Sequence, residues 1–470
     1  MIDPGHECLA SGRERKMSDF DMRQTLGRVG RTRRRMLQAT AGAGLAVGLP
    51  RDRLSLPAYA QEITFSRDFE GTTLNLLMED LLETTIIEKM LLEFTELTGI
   101  TVNFEKVAYP VMHEKLVPQL AAGPGNGSYD VLEVDFYWVY EFARSGWVED
   151  LGERIAASDG QVDLERYIPA LLDIGSTVDD TTYYLPMFPY PMGLIYRDDL
   201  LNDEAFRAAY QEQTGAELTL PDSVESYVDM AEAVSSLDQD VYGAAMQAQQ
   251  VDPIVMEFCN FLYGLGGTYY NADMTAPAIN DETGVKAAEL YSRCVNNAAQ
   301  PGAAGADLND TMATYSQGRA FSMISYMFML SVFDDDEAST VKGVNKMTVM
   351  PGGHGLTGSW SWGIPVSSPN PDAGWEFLKW VESPEIAMRR ALAGGVPAQE
   401  APYENQDFLT KYPWMPQAKE MIASGEGLPA VTKQAQLVEI MGRHLGDVVS
   451  GAKSAQEGMN AAAEELTALL

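Results

Sequence analysis

Apolar and polar positions first alternate at Thr73-Leu74-Asn75-Leu76-Leu77-Met78, which predicts a strand. Ile86, Ile87, Met90, Leu91, Phe94 and Leu97 then recur every three or four residues as far as Gly99, the spacing of one helix face with a glycine stop. Ile100 to Val107 alternates as a second strand, and a helix follows from about Val111 to Ala122. The run Gly123-Pro124-Gly125-Asn126-Gly127 closes that helix. Tyr129 to Val134 is more continuously apolar, as a strand covered on both faces would be, and Phe136 to Arg144 returns to helical spacing. A β-α-β-α-β-α order predicts a parallel sheet with helices on both sides, an α/β fold.

The stretch from Tyr183 to Leu200 interrupts this rhythm. Its β-branched and aromatic entry, from Thr181 to Leu185, meets Pro186, Pro189 and Pro191, with Phe188 and Tyr190 between them. Proline fixes φ and has no N–H to donate, so Pro186 to Pro191 is expected to be a stiff extended segment, neither helix nor central strand. Beyond it a second α/β unit is expected. Its strands are Tyr242 to Gln247, Ala320 to Ser325 and Met347 to Met350, and its helices fall near 221–237, 253–262, 282–297 and 310–317. Trp362 to Val366 predicts a further short strand. Helices follow over 373–381 and 384–392, and at the C-terminus over 431–449 and 454–469. Trp360 and Trp362 are expected to face opposite sides of their strand, with Trp360 toward a cleft. Phe321, Phe377 and Trp380 read as core.

The first sixty residues differ in kind. They hold 11 of the 33 Lys and Arg but only 6 of the 68 Asp and Glu, clustered before a weakly apolar stretch from Ala39 to Leu49. Small residues at Ala58 and Ala60 precede Gln61, so residues 1–60 read as an export signal cleaved near Ala60. Thr32-Arg33-Arg34-Arg35-Met36-Leu37-Gln38 resembles the twin-arginine signal. The remaining 410 residues carry 22 basic and 62 acidic side chains, a formal charge of −40, which opposes nucleic acid and anionic membrane surfaces. No run approaches the ~18–20 apolar residues of a membrane span. After residue 60 only Cys259 and Cys294 are present, enough for one disulfide but not for a disulfide scaffold or a zinc site.

No nucleophile elbow, phosphate-binding loop or zinc-protease motif is present, and Gly264 to Gly267 follows a helix with the wrong spacing for a dinucleotide site. Ligands of open α/β sheets collect at the carboxyl ends of strands. Those ends carry Glu79 and Asp80, Tyr109, and the run from Glu133 to Tyr137. Rings beside hydrogen-bonding groups suit polyhydroxylated ligands, whose C–H faces are apolar and whose edges are polar.

The order of these pieces resembles the extracellular solute-binding proteins of ABC importers, in particular the sugar-binding family that includes maltose-binding protein. The marks are FTELTGITV at 94–102, YDVLEVDFYWVYEFARSGWVEDL at 129–151 and YYLPMFPYPMGLIYRDDLL at 183–201. QGRAFSMIS at 317–325, the stretch 350–385 and the C-terminal helix pair follow in order. The resemblance implies a two-lobed type II periplasmic-binding-protein fold with a hinge crossed more than once. Residues 72–195 would begin the N-terminal lobe and 196–345 the C-terminal lobe. Residues 346–398 would return to the first lobe, and 399–470 would supply second-lobe helices. It also implies a non-catalytic periplasmic receptor for a small sugar, short oligosaccharide or polyol, working as a monomer with ABC permease transmembrane subunits and without a cofactor or metal. The ligand-binding residues it implies are Asp135, Phe136, Tyr137, Tyr190, Gln247, Tyr326, Phe328 and Trp360; Glu79 and Tyr109, at strand ends, and Phe188, in the proline stretch, join them by position. Val438 stands where maltodextrin binders carry an aromatic residue, which favours a small sugar or polyol over a long oligosaccharide; Pro397-Ala398-Gln399 lacks the arginine many relatives have after that proline, so a bidentate contact from there is not expected. A ferric-ion or polyamine binder of the same fold and a periplasmic sugar-active enzyme are the rival readings.

Overall fold

Among the described residues eight strands form one continuous sheet in the order β2 (Thr101–Val107), β1 (Thr73–Glu79), β3 (Val131–Asp135), β10 (Thr357–Gly363), β6 (Leu185–Arg197), β8 (Ala320–Tyr326) and β7 (Tyr242–Ala245), with β9 (Asn345–Thr348) also paired to β6. The computed structural model describes residues 64–470 apart from residues 238, 239, 336 and 338, so the expected export segment lies outside the described residues. β1 (Thr73–Glu79), β2 (Thr101–Val107) and β3 (Val131–Asp135) are parallel, as the β-α-β spacing requires. β3 is buried at all five positions, which accounts for its unbroken apolar reading, whereas β2 at the sheet edge alternates between exposed and half-buried positions. The short hairpin β4 (Thr177–Val178) and β5 (Thr181–Thr182) stands apart and leads into β6 (Leu185–Arg197).

β6 corrects the sequence reading, because the proline stretch is a strand. From Leu185 to Pro191 its strand partner is β10 (Thr357–Gly363), and from Met192 onward it pairs with β8 (Ala320–Tyr326) and β9 (Asn345–Thr348). Pro189 and Pro191 share a parity opposite to that of Met192, whose N–H donates to the Leu356 carbonyl at 2.8 Å, on the β10 side. The N–H groups these prolines lack would therefore have pointed to the other edge, which no strand among the described residues occupies over this half of β6. Edge positions tolerate proline, so the physical rule holds and only its application to the whole segment fails.

The β6–β10 register shifts between Trp360 and Ser361, leaving Met187 as the extra residue on β6. The buried Arg390 donates to the Met187 carbonyl at 2.7 Å and pairs with Glu83 at 2.8 Å and Glu382 at 2.6 Å. Trp362 Nε1 donates to Glu382 at 2.8 Å, tying β10 into the same buried polar group.

β10 begins five residues before the expected strand at Trp362, and its two tryptophans share a face. Gly175 approaches both Ser359 and Ser361, so those serines turn to one side and Trp360 and Trp362 to the other. They differ in their place along the strand. Trp362 packs on Phe377 in the interior, and Trp360 sits level with the carboxyl end of β3. Phe321, Phe377 and Trp380 are buried, as expected.

Two apolar cores flank the crossing strand. One gathers Leu76, Val131, Leu132, Trp362, Phe377 and Trp380, and the other Tyr227, Phe258, Phe261, Tyr291, Phe321 and Met441. The segment 399–470 divides between them: Phe408, Met415 and Ile422 join the first core, while Leu437, Met441 and Met459 join the second. Cys259 and Cys294 are buried and unpaired.

Candidate functional site

Register places the site. Asp135, the last residue of β3, lies opposite Trp360 on β10, and Trp360 lies opposite Phe188 on β6. In the next row Tyr190 pairs with Gly358. A Cβ on Gly358 would fall 2.0 Å from the Tyr190 ring, so the missing side chain lets the ring lie over β10. From there the Tyr190 hydroxyl donates to Asp135 Oδ1 at 2.5 Å.

Rings continue the row to both sides. Tyr109 stacks on Trp138 with centroids 5.7 Å apart, and Trp360 meets both edge-on at 5.9 and 5.8 Å. Phe188 lies 6.5 Å from Trp360 and 6.4 Å from Tyr190. Tyr190 then touches Phe136 at 5.9 Å and Tyr326, the last residue of β8, at 6.0 Å. Tyr326 stacks on Phe328, which is 45% exposed and so keeps a free ring face. Phe136 is only 3% exposed and packs into the second core. The Tyr137 hydroxyl donates to Met256 Sδ at 2.7 Å, on the helix Asp252–Gly264.

Carboxylates supply the polarity. Asp135 is 3% exposed, and burial raises its pKa to about 6 against bonds from Tyr190, Tyr109 and the backbone N–H groups of Tyr137 and Phe136. Glu79, half-buried at the end of β1, is pushed up to about 8 by burial and then by the neighbouring charges of Asp135 and Asp80. Fully buried Glu133 accepts from the Glu79 N–H at 2.6 Å, and its pKa is also raised, chiefly by burial. Its second oxygen, Oε1, has no hydrogen-bond partner among the described residues. At neutral pH Asp135 is therefore mostly an acceptor, while Glu79 retains a proton to donate. No Lys or Arg figures in the bonds or charge effects described for Glu79, Tyr109, Asp135, Tyr137, Tyr190 and Tyr326.

Ten of the expected residues thus fall in one connected group: Glu79, Tyr109, Asp135, Phe136, Tyr137, Phe188, Tyr190, Tyr326, Phe328 and Trp360. Gln247 stands apart. It is buried beyond the end of β7 (Tyr242–Ala245), with its N–H on Glu257 at 3.0 Å and its carbonyl accepting from Tyr291 at 2.6 Å. Trp138, at the centre of the ring group, was missed, although it stands in the aromatic run that follows Asp135. Tyr269 and Tyr270, neighbours in sequence, send their hydroxyls to different partners: that of Tyr269 lies 3.1 Å from Cys259 Sγ and that of Tyr270 donates to the Leu466 carbonyl at 3.1 Å.

A family model described as bacterial extracellular solute-binding protein matches residues 80–388. An erythritol/L-threitol-binding protein of Mycolicibacterium smegmatis is 26% identical over 78% of this chain and 80% of its own length. A probable amino-acid ABC transporter periplasmic-binding protein of Sinorhizobium fredii is 24% identical over 74% of this chain and 78% of its own. Among solved structures, a ribitol complex of an ABC transporter solute-binding protein from Agrobacterium radiobacter superimposes with a TM-score of 0.70. That match is 22% identical and covers 86% of this chain and all of the other. A sugar-binding protein of Xanthomonas citri gives 0.71 at 20% identity over 85% and 97% of the two chains.

Proposed function

Because the chain belongs to the bacterial extracellular solute-binding proteins, we propose that it is the receptor of an ABC importer for a small sugar, short oligosaccharide or polyol. The observation that carries this reading is the row Asp135–Trp360–Phe188 with Tyr190 above it, in which ring faces border an acceptor carboxylate and no cation is at hand. Sugars and polyols offer C–H faces to rings and hydroxyl donors to carboxylates. An amino acid or organic anion needs a positive partner for its carboxylate, and no Lys or Arg enters the bonds or charge effects of these site residues among the described residues. The relatives are named for an erythritol or threitol ligand in one case and for amino acids in another, and the chemistry of this site favours the first.

The receptor is non-catalytic. Ligand bridges the residues of β3 and β10 to Tyr326 and Phe328, and its differential affinity for the closed form shifts the population toward the state a permease recognises. Residues 1–60 are its export signal, read by the twin-arginine route, and it works in the periplasm as a monomer with the permease subunits as partners. Residues 72–195 and 346–398 form most of one lobe and 196–345 most of the other.

A thermal-shift screen with erythritol, ribitol, D-mannitol, D-tagatose, maltose, putrescine, spermidine and ferric citrate tests the reading, since a ligand stabilises by RT ln(1 + [L]/Kd). A polyol or sugar is expected to raise the melting temperature. A rise with ferric citrate or an amine alone would overturn the assignment.

A further inference from the structure

Arg390, on the helix Pro384–Leu392, is buried and divides its guanidinium among four acceptors. Nε donates to Glu83 at 2.8 Å and Nη2 to the Met187 carbonyl at 2.7 Å, while Nη1 donates to Glu382 at 2.6 Å and to the Val381 carbonyl at 3.1 Å. None of these acceptors belongs to the ring row, yet three of them lead into it. Glu83 stands in the first turn of the helix Leu82–Glu88, just beyond Glu79 at the end of β1. Met187 precedes Phe188 on β6. Glu382 accepts from Trp362 Nε1 at 2.8 Å, on the strand that carries Trp360.

The Met187 link lies nearest the site. Pro186, Pro189 and Pro191 leave this half of β6 with few N–H groups to fix it against β10. Met187 is the extra residue of the bulge, which strand pairing passes over, and it is buried. Phe188 follows directly and lies opposite Trp360, with ring centroids 6.5 Å apart. A bulge displaced by one residue would turn Phe188 to the other face, because alternate residues of a strand point to opposite sides. The donor that holds the Met187 carbonyl comes from 203 residues further along the chain.

The cluster around Arg390 is anchored on several sides. Glu382 also accepts from Tyr167 at 3.2 Å and from Gln399 at 3.3 Å. A Cβ on Gly395 would collide with Glu83 Oε2, so the missing side chain makes room for that carboxylate. In a buried ion triad, desolvation offsets much of the attraction between the charges. What a guanidinium adds is a planar fork of donors at fixed angles, which the ammonium of lysine does not reproduce.

We infer that Arg390 is a positioning residue of the binding site: by holding the Met187 carbonyl it sets the bulge that places the Phe188 ring beside Trp360. This rests on the binding site proposed above, and Arg390 acts through Met187 rather than on the solute.

Arg390→Lys, which keeps the charge but not the fork, tests it. Its affinity is measured by calorimetric titration with whichever compound of the screen above stabilises the wild-type protein, alone and combined with Phe188→Ala. Displacement of one ring is expected to weaken binding about three- to tenfold in Arg390→Lys. The loss should be less than about twofold when residue 188 is already alanine, because both changes act through one contact. Phe408→Leu, which disturbs the packing on Tyr403 and Tyr412 in the same core, should lower stability yet bind within about twofold of wild type. An unchanged affinity in Arg390→Lys, or the same loss in both backgrounds, would overturn the positioning role. So would an equal loss in Phe408→Leu, which would trace the effect to stability alone. An amine or iron that shows the same coupling overturns the sugar reading and leaves Arg390 in its role. Near-ultraviolet circular dichroism of the unliganded proteins repeats the comparison whatever the protein binds: the change caused by Arg390→Lys should shrink in the Phe188→Ala background, and an undiminished change overturns the role. If Arg390→Lys does not fold, Glu382→Gln, which leaves the guanidinium but loosens its anchor, is held to the same criteria.

Discussion

Asp135→Asn removes the one carboxylate that the ring row encloses, and its effect on stability follows from the electrostatics. Burial raises the Asp135 pKa from 3.8 to about 6. At ~1.36 kcal/mol per pH unit, that rise is worth about 3 kcal/mol. The folded protein keeps a proton that the unfolded chain releases, so stability falls as pH rises from about 4 to about 6, and the full penalty is present at neutral pH. The amide has the shape of the protonated acid and keeps an oxygen for the Tyr190 hydroxyl. The unliganded variant should therefore gain up to about 3 kcal/mol at pH 7.5 and about 1 kcal/mol at pH 4.5. For about 400 residues this corresponds to a rise of about 3–4 °C in melting temperature at the higher pH. Melts of both proteins at the two pH values, without ligand, measure it. The same variant should lose its response to the polyol or sugar, the pattern of a residue kept for function at a cost in stability. A variant that melts below wild type at pH 7.5, or by the same margin at both pH values, would refute a buried charge at this position.

Glu79→Gln should flatten wild-type stability between pH 4.5 and 8, where the folded protein holds a proton on Glu79 that the unfolded chain has lost; urea midpoints across that range check it. Gly358→Ala should push the Tyr190 ring off Asp135 and weaken ligand binding at least tenfold while the far-ultraviolet spectrum is unchanged, because the three atoms nearest the new Cβ all belong to the Tyr190 side chain. Val251→Gly should leave stability unchanged or raise it by up to about 1 kcal/mol, since relief of strain at φ +83 offsets the added chain entropy; a loss above 1 kcal/mol in urea denaturation would show the turn to be unstrained. Arg390→Met should cost about 3–5 kcal/mol in the same assay by leaving Glu83 and Glu382 without their shared cation.

What the sequence discloses depends on whether a contact is local. The first three strands are legible because burial on both faces gives β3 its continuous apolar run, and the glycine stops mark the ends of the helices between them. The ring group is legible in part, since Asp135, Phe136 and Tyr137 follow a strand end directly. Trp138 belongs to the same run but was absorbed into the helix that follows. Pro186 to Pro191 was misjudged because proline reports a missing N–H without saying which edge it faced, and that edge is set by β10, more than 160 residues away. Trp360 and Trp362, expected on opposite faces, share one as residues two apart on a strand do, and their separation is along the strand.

The place where β6 changes partners connects these observations. Up to Pro191 the strand belongs with β10, and from Met192 it belongs with β8 and β9. The last residue before that exchange on the ligand-facing side is Tyr190, bonded to Asp135, and the first residue after it is paired with Tyr326. A solute that engages Asp135, Tyr190 and Tyr326 therefore loads both sides of the exchange at once. The prolines contribute stiffness on one side, since their φ cannot relax, and Arg390 contributes it again by holding the Met187 carbonyl. A closing motion of the proposed receptor would then fall on the stretch between Pro191 and Gly193, where the absence of a side chain lets β6 lie against the Thr348 carbonyl, 2.6 Å from where a Cβ on Gly193 would sit. If the lobes close as proposed, the ligand row and the hinge are one element of structure, so substitutions at Gly193 should alter closure even without ligand, whereas substitutions at Phe328, whose ring is 45% exposed, should alter closure only through the ligand it contacts.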